Sequence, residues 1–311
     1  MAYVLAANAS PRLHGFTAGL LAEAAAGAAS VSGVEVETVH LTNFDFGPCK
    51  SCFHCIRGEA HMCSQNDDMG REGKGRLFSR TLRANGLILA DPVYGWGPSA
   101  RAHAFWERLY PFTWSGGLAG LPFASISCAS NQGMHRLATE EICKWAFTKG
   151  LRYCGGLPVH TAYYDTALQQ ARELGESVAR TALADEKQGR QKMVEEDLYL
   201  EYLGHPWSPL GPYLDNLTNG TFKLESSVIV RALAEGTFHR LSAVQALKAA
   251  AGELGKAIEE YDAGQKEEAT KHLVRASAYW TRATWEEFVE PKVVKAAQPA
   301  AYRPIQDQEQ K

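Results

Sequence analysis

Apolar and polar positions along the first 185 residues follow a strand–helix rhythm. Tyr3–Ala7 is a short apolar run, and the Ala/Leu-rich Thr17–Ser30 after it predicts a helix. Val34–His40 alternates with a period of two, as a strand does. The polar–apolar stretch from Met69 to Ala84 predicts a helix. Gly86–Tyr94 is continuously apolar, as expected of a strand covered on both faces. Ser99–Tyr110 predicts a helix, Pro122–Cys128 a strand and Arg136–Lys149 a helix. Leu157–Tyr163 is the fifth strand and Thr166–Leu183 the fifth helix. Strands that alternate with helices predict a parallel sheet covered on both faces. Ligands of such sheets bind beyond the carboxyl ends of the strands, near the point where the winding reverses. The loops Asn8–Thr17, Pro92–Ser99 and Cys128–His135 are therefore the places to look.

The rest of the chain has another pattern. Residues 186–205 are charged and read as helical. His205–Phe222 is rich in Pro, Gly, Asn and aromatics and reads as irregular. Val244, Leu247, Ala251, Leu254, Ile258 and Tyr261 then recur at spacings of three and four. Ala269, Leu273, Ala276, Trp280 and Ala283 do the same beyond Asp262-Ala263-Gly264, which predicts a helical hairpin with coiled-coil-like seams. The expected organisation is an α/β domain over 1–185 with an insertion at 47–68, a connecting segment over 186–222, the hairpin over 223–290 and a polar, frayed tail over 291–311.

Composition narrows the function classes. The chain has 311 residues, 45% of them hydrophobic and 22% charged, enough for a sizeable core. A net charge of -3 without a dense basic run argues against a nucleic-acid partner. No apolar run has the length of a membrane helix. The N-terminus lacks a basic start and runs directly into Pro11 and Arg12, so it reads as a first strand and not as a signal peptide. A cytoplasmic location follows as an expectation. Disulfides are rare there, so seven cysteines point to metal or redox chemistry.

Three segments carry that chemistry. Ser10-Pro11-Arg12-Leu13-His14-Gly15-Phe16-Thr17 joins the first strand to the first helix. Hydroxyls, backbone N–H groups and a helix N-terminus there suit an anion, and the competing reading is an ordinary turn capped by Thr17. Gly95-Trp96-Gly97-Pro98-Ser99-Ala100 matches the dinucleotide pattern but lies after the wrong strand and lacks the acidic residue expected roughly 20 positions on. It reads instead as a loop closing on a flavin ring, with Tyr94 or Trp96 against the ring or packed in the core. Cys49, Cys52, Cys55 and Cys63 form C-x2-C-x2-C-x7-C. Three thiols crowded into one turn favour an iron–sulfur cluster, with zinc as the rival ligand. His54 and His61 read as neighbours of that site, while Cys128, Cys143 and Cys154 read as core thiols.

Together SPRLHGFT, PCKSCFHC with Cys63, NDDM at Asn66–Met69, ADPVYGWGPSA and CASNQGMH resemble the iron–sulfur flavoprotein family, a branch of the NAD(P)H-dependent FMN reductases, over roughly residues 1–183. The resemblance implies a flavodoxin-like, doubly wound five-stranded parallel sheet in the order 2-1-3-4-5, here with a C-terminal helical extension. It implies FMN, with Ser10, Arg12 and Thr17 holding its phosphate and Gly15 and Phe16 of the same loop among the cofactor-binding residues. Pro92, Val93, Tyr94, Gly95 and Trp96 would lie beside the isoalloxazine, and Ser130, Asn131, Gln132 and Gly133 on its pyrimidine side. A [4Fe-4S] cluster on the four cysteines and a homodimer or tetramer follow in the same way, while NAD(P)H and a ferredoxin-like protein are both open as donor to a small-molecule or protein acceptor. No side chain stands out as a catalytic acid. Asp67 and Asp68 match the family signature and read as caps of the helix near Met69. The extension has no counterpart in the resemblance. Trp207 and Tyr213 are candidates for a lid, and the hairpin for an oligomerisation device. The alternatives are a plain NAD(P)H-dependent reductase of quinones or nitro compounds, with zinc or nothing on the cysteines, and a redox- or metal-responsive binding protein.

Overall fold

Among the described residues there are six strands: β1 (Ala2–Asn8), β2 (Val34–His40), β3 (Gly86–Tyr94), β4 (Gly97–Pro98), β5 (Pro122–Ala129) and β6 (Arg152–His160). In this computed structural model, which describes residues 1–294, the order is β2-β1-β3-β5-β6, and every neighbouring pair is parallel. The short β4 folds back antiparallel onto the end of β3. The five main strands thus have the order 2-1-3-4-5 of a flavodoxin-like sheet. β1 and β5 are buried along their whole length, whereas β2, at the edge, keeps the polar alternation read from the sequence. The polar tail expected from about Lys292 lies, beyond Val294, outside the described residues.

The chain divides into two compact units, Met1–Lys50 with Ala60–Pro209, and Ser51–Glu59 with the chain from Leu210 on. In the first, the sheet is flanked by α1 (Phe16–Ala29), α3 (Arg76–Arg83), α4 (Ala100–Arg108), α5 (Tyr110–Ser115), α6 (His135–Thr148), α7 (Tyr164–Gln188) and α8 (Glu195–Tyr202). The second holds α2 (His54–Arg57), α9 (Leu210–Leu217), α10 (Val228–Ala234), α11 (Leu241–Asp262) and α12 (Lys266–Thr284), followed by a π-helical stretch, Trp285–Val294. α11 and α12 form the expected hairpin, with Leu247, Leu254 and Ile258 facing Ala269, Leu273 and Ala276 inside the seam.

Several elements differ from the sequence reading. The fifth strand is Arg152–His160 and not Leu157–Tyr163. Gly155 and Gly156 sit inside it, and a register irregularity lies opposite, between Phe123 and Ala124. A Cβ at Gly156 would collide with the Tyr153 hydroxyl and the Thr139 methyl, so glycine here serves close packing. The helix read from Met69 begins only at Arg76, because Arg71 and Glu72 are left-handed (φ 53° and 52°) and Gly70 and Gly75 lie tight against neighbouring backbone. His205–Phe222 is not wholly irregular. Leu210, Leu214 and Leu217, spaced three and four apart, are buried on α9. Trp207 is buried in the first unit, its ring 5.1 Å from that of Phe147.

Two constraints hold the framework. α1 and α7 cross with almost nothing between them: a methyl on Gly27 would overlap the Arg172 carbonyl, and one on Gly175 the Ala24 carbonyl. Asp91 on β3 is fully buried, and its carboxylate accepts the Ser99 N–H at 2.8 Å and the Ser99 hydroxyl. The Ser99 hydroxyl in turn caps α4 by accepting the Ala102 N–H. Burial outweighs these bonds and pushes the Asp91 carboxyl up to about 7.

The folded state therefore holds the Asp91 proton to a higher pH than the unfolded chain does. Its ionisation costs stability progressively from about pH 4 to pH 7. Asp91→Asn should remove that slope: measured by urea unfolding, wild type should lose stability relative to the variant as pH rises through this window, by on the order of a few kcal/mol. Gly175→Ala forces a methyl into backbone and should destabilise the first unit by about 3 kcal/mol, read as a lowered thermal midpoint.

Candidate functional site

Three loops meet at the carboxyl ends of β1, β3 and β5. The first is shaped by Asn8. Its side-chain oxygen accepts the Ser10 N–H at 2.9 Å, and its amide nitrogen meets His40 Nδ1 at 3.0 Å. The Ser10 hydroxyl accepts the Arg12 N–H at 3.1 Å, so the chain turns over its own buried side chain. α1 then starts with Gly15 as its N-cap and without any side-chain cap. Thr17 is thus not the cap; it lies buried inside the first turn. An uncapped start leaves first-turn N–H groups open to an anion. Ser10, Arg12, Gly15, Phe16 and Thr17 all line one cleft of about 550 Å³.

Pro92, Val93 and Tyr94 form its second wall, continued by Gly95 and Trp96. Gly95 and Trp96 both take left-handed backbone (φ 59° and 69°), and a Cβ on Gly95 would meet nothing within 4 Å. Tyr94 and Trp96 are 49% and 61% exposed, so neither is a core residue. Large aromatics left on the rim of a cleft mark a surface that a ligand covers. Ser130, Asn131, Gln132 and Gly133 complete the third wall. His160, at the end of β6, fixes this loop: its Nδ1 accepts the Ala162 N–H at 3.1 Å, so Nε2 carries the proton and donates to the Asn131 carbonyl at 2.8 Å. The residues expected at a flavin thus line two adjoining pockets: Gly95, Trp96, Asn131, Gln132 and Gly133 belong to the second, which shares Arg12, Val93, Tyr94 and Ser130 with the first.

Ala18, Gly19 and Ala22 on α1, and Thr161 and Tyr164, which follow β6, line the cleft without having been singled out in the sequence. Setting that strand too late placed Thr161 inside it. The Tyr164 ring packs edge-on to Phe16 at 4.9 Å, and its hydroxyl occupies the space that Gly19 leaves. Cys128 also lines the cleft, but burial pushes its thiol up against the opposing hydrogen bond from Thr17. Cys143 is pushed up to about 12. Neither is a nucleophilic thiolate at neutral pH.

The cysteine segment is held from α4. Arg101 donates to the carbonyls of Leu41, Phe44 and Phe46 and lies over the Phe46 ring at 3.9 Å. Seven residues on, Arg108 is 1% exposed. It forms a two-pronged pair with Asp67 at 2.6 and 2.8 Å, donates to the Gly47 carbonyl at 3.1 Å, and reaches Cys63 Sγ at 3.3 Å. Asp67 also accepts the Met69 N–H at 3.0 Å, while Asp68 is paired with Arg76, which holds its carboxyl at about 2. Both acids therefore anchor arginines; the helix they were expected to cap starts later. Cys49 is exposed, and its N–H donates to Glu107 at 3.1 Å. Cys52 is exposed and Cys55 lies half-buried on α2. His54 and His61 are half-buried.

No disulfide joins these cysteines, and among the described residues no three His, Cys, Asp or Glu side chains come together as a metal-holding group. The donor chemistry nonetheless fits an iron–sulfur cluster. Four thiols lie within fifteen positions, and Arg108 Nε is buried without a hydrogen-bond partner close to Cys63. An orphaned donor beside a thiol suits a group that brings further acceptor atoms, as sulfide does.

The family model of NADPH-dependent FMN reductases matches residues 2–149. An iron-sulfur flavoprotein of Archaeoglobus fulgidus is 30% identical over 202 residues, covering 62% of this chain and 84% of the relative. One from Methanocaldococcus jannaschii is 27% identical over 192 residues, covering 57% of this chain and 95% of the relative. The structure of a flavone reductase aligns over 61% of this chain and 66% of its own, at 17% identity and a TM-score of 0.45. No helix among the described residues is long and apolar enough to cross a membrane. On these matches the chain belongs to the iron–sulfur flavoprotein family of NADPH-dependent FMN reductases and is a flavoprotein oxidoreductase.

Proposed function

We propose that this protein passes electrons between FMN and a [4Fe-4S] cluster on Cys49, Cys52, Cys55 and Cys63, and so reduces a small-molecule or protein acceptor. The observation that carries the flavin half is the pair of adjoining pockets, with Arg12, Val93, Tyr94 and Ser130 common to both, that the three loops line above the carboxyl ends of the strands. FMN supplies one- and two-electron chemistry and the cluster one-electron chemistry; the protein positions and tunes them. Ser10, Arg12 and the uncapped start of α1 would take the phosphate, where backbone N–H groups and a guanidinium oppose its charge. The Pro92–Trp96 loop would lie along the isoalloxazine. Its left-handed Gly95 and Trp96 leave open space for a flat ring, and the exposed rims of Tyr94 and Trp96 would be covered by it. Ser130–Gly133, steadied by His160, would meet the pyrimidine edge.

The cluster half rests on donor chemistry and on relatives that carry iron-sulfur flavoprotein as their name. Four thiols exceed what a flavin reductase needs. A reduced pyridine nucleotide or a ferredoxin-like protein would act as donor.

Anaerobically purified protein should show flavin absorption with a broad shoulder near 400 nm, and about four irons and four sulfides per chain. Cys52→Ser should lose that iron; full iron retention would refute the cluster, and zinc in place of iron would leave the reductase alone. Arg12→Ala should weaken FMN binding to the apoprotein about tenfold to a hundredfold in a fluorescence titration, the loss expected for one charge-assisted bond.

A further inference from the structure

We infer that Arg108 is a positioning residue for the cluster: its guanidinium, held by Asp67, donates an N–H to the Cys63 sulfur and raises the reduction potential of the iron–sulfur centre. The inference rests on the reading of Cys63 as a ligand.

An arginine that is 1% exposed is costly unless its charge and its donors are met. Asp67 meets the charge with two bonds, and Gly47 takes a third. The remaining reach of Nη2 goes to Cys63 Sγ at 3.3 Å. Asp67 and Gly47 take three of its five N–H groups, a fourth goes to a thiol that is itself buried, and Nε is left without a partner. The geometry is built from three places in the chain, α4, the turn at Gly47 and the Asp67 turn, and Cys63 lies where they meet. Asp67 cannot swing away, because its Oδ1 also accepts the Met69 N–H at 3.0 Å. The planar, forked guanidinium suits this task, since it can hold a carboxylate on one side and offer an N–H on the other.

The direction of the effect follows from charge. When the cluster takes up one electron from a chemical reductant such as dithionite, its negative charge rises by one, and that charge spreads onto its thiolate sulfurs. An N–H donor and a positive charge at Cys63 stabilise the reduced form more than the oxidised one, so the potential rises. No proton moves in this step. Asp67 orients the guanidinium and has no contact with Cys63 of its own among the bonds described.

The test is an EPR-monitored redox titration of the anaerobic, FMN-loaded protein, with iron counted on the same samples. Arg108→Gln should keep its iron and be reduced about tenfold less favourably, a potential lower by about 59 mV. An unchanged or higher potential at full iron content overturns the inference and leaves the cluster intact as a reading. A wild-type protein without iron overturns both. Arg108→Lys keeps the charge against Asp67, but a single ammonium cannot span carboxylate and sulfur together. It should show a smaller fall of the same sign, and if Arg108→Gln fails to fold, a lysine variant with wild-type potential overturns the inference by itself.

Discussion

Between β1 and β3 the sheet reverses its direction of winding: the chain goes first outward to β2, then back across β1 to β3, β5 and β6. The loops that leave β1 and β3 must therefore turn to opposite faces, and the gap between them cannot be filled by either crossover helix. Everything proposed for the flavin depends on this gap. It places the Ser10–Thr17 turn, the Pro92–Trp96 loop and the Ser130–Gly133 loop around two adjoining pockets, although Ser10 and Gly133 are 123 positions apart in sequence.

Each of these loops is fixed by one polar side chain at or near the end of a strand. Asn8 folds the first over Ser10, Asp91 ties Ser99 back beneath the second, and His160 holds the third by the Asn131 carbonyl. These bonds are formed in or near the sheet, where they are stronger and where leaving them unmade costs more. The loops can then keep strained features such as the left-handed Trp96 without collapsing onto the cleft. Small residues do the same for the helices. Gly27 and Gly175 bring α1 and α7 into backbone contact, and this sets where the N-terminus of α1 can lie.

The ends of the cysteine segment in the first unit depend on α4. Arg101 and Arg108 are seven positions apart, two helical turns, and so project from one face. One gathers the carbonyls of Leu41, Phe44 and Phe46, the other joins Gly47, Asp67 and Cys63. Ser99, the cap of this helix, is itself tied to Asp91. A single run of bonds thus leads from the strand beside the cleft to the sulfur of the fourth cysteine.

Taken alone, the sequence determined the α/β class, four of the main strands to within a residue, the hairpin of α11 and α12, and most of the loop residues that line the two pockets. These were legible because periodicity and turn chemistry are local, and because the cysteine spacing and loop motifs carry their chemistry in consecutive residues. What failed was decided at a distance. Gly155 and Gly156 look like a break, yet they continue β6 because the Tyr153 hydroxyl and Thr139 need the space. Thr17 looks like a cap, yet the helix starts at Phe16 with its N-cap at Gly15, two positions before Thr17. Asp67 looks like a cap for a helix that begins further on, and its partner Arg108 lies 41 residues away. Nothing in a lone arginine on a helix shows that it is buried or that it faces a thiol; only packing brings three distant segments to one guanidinium.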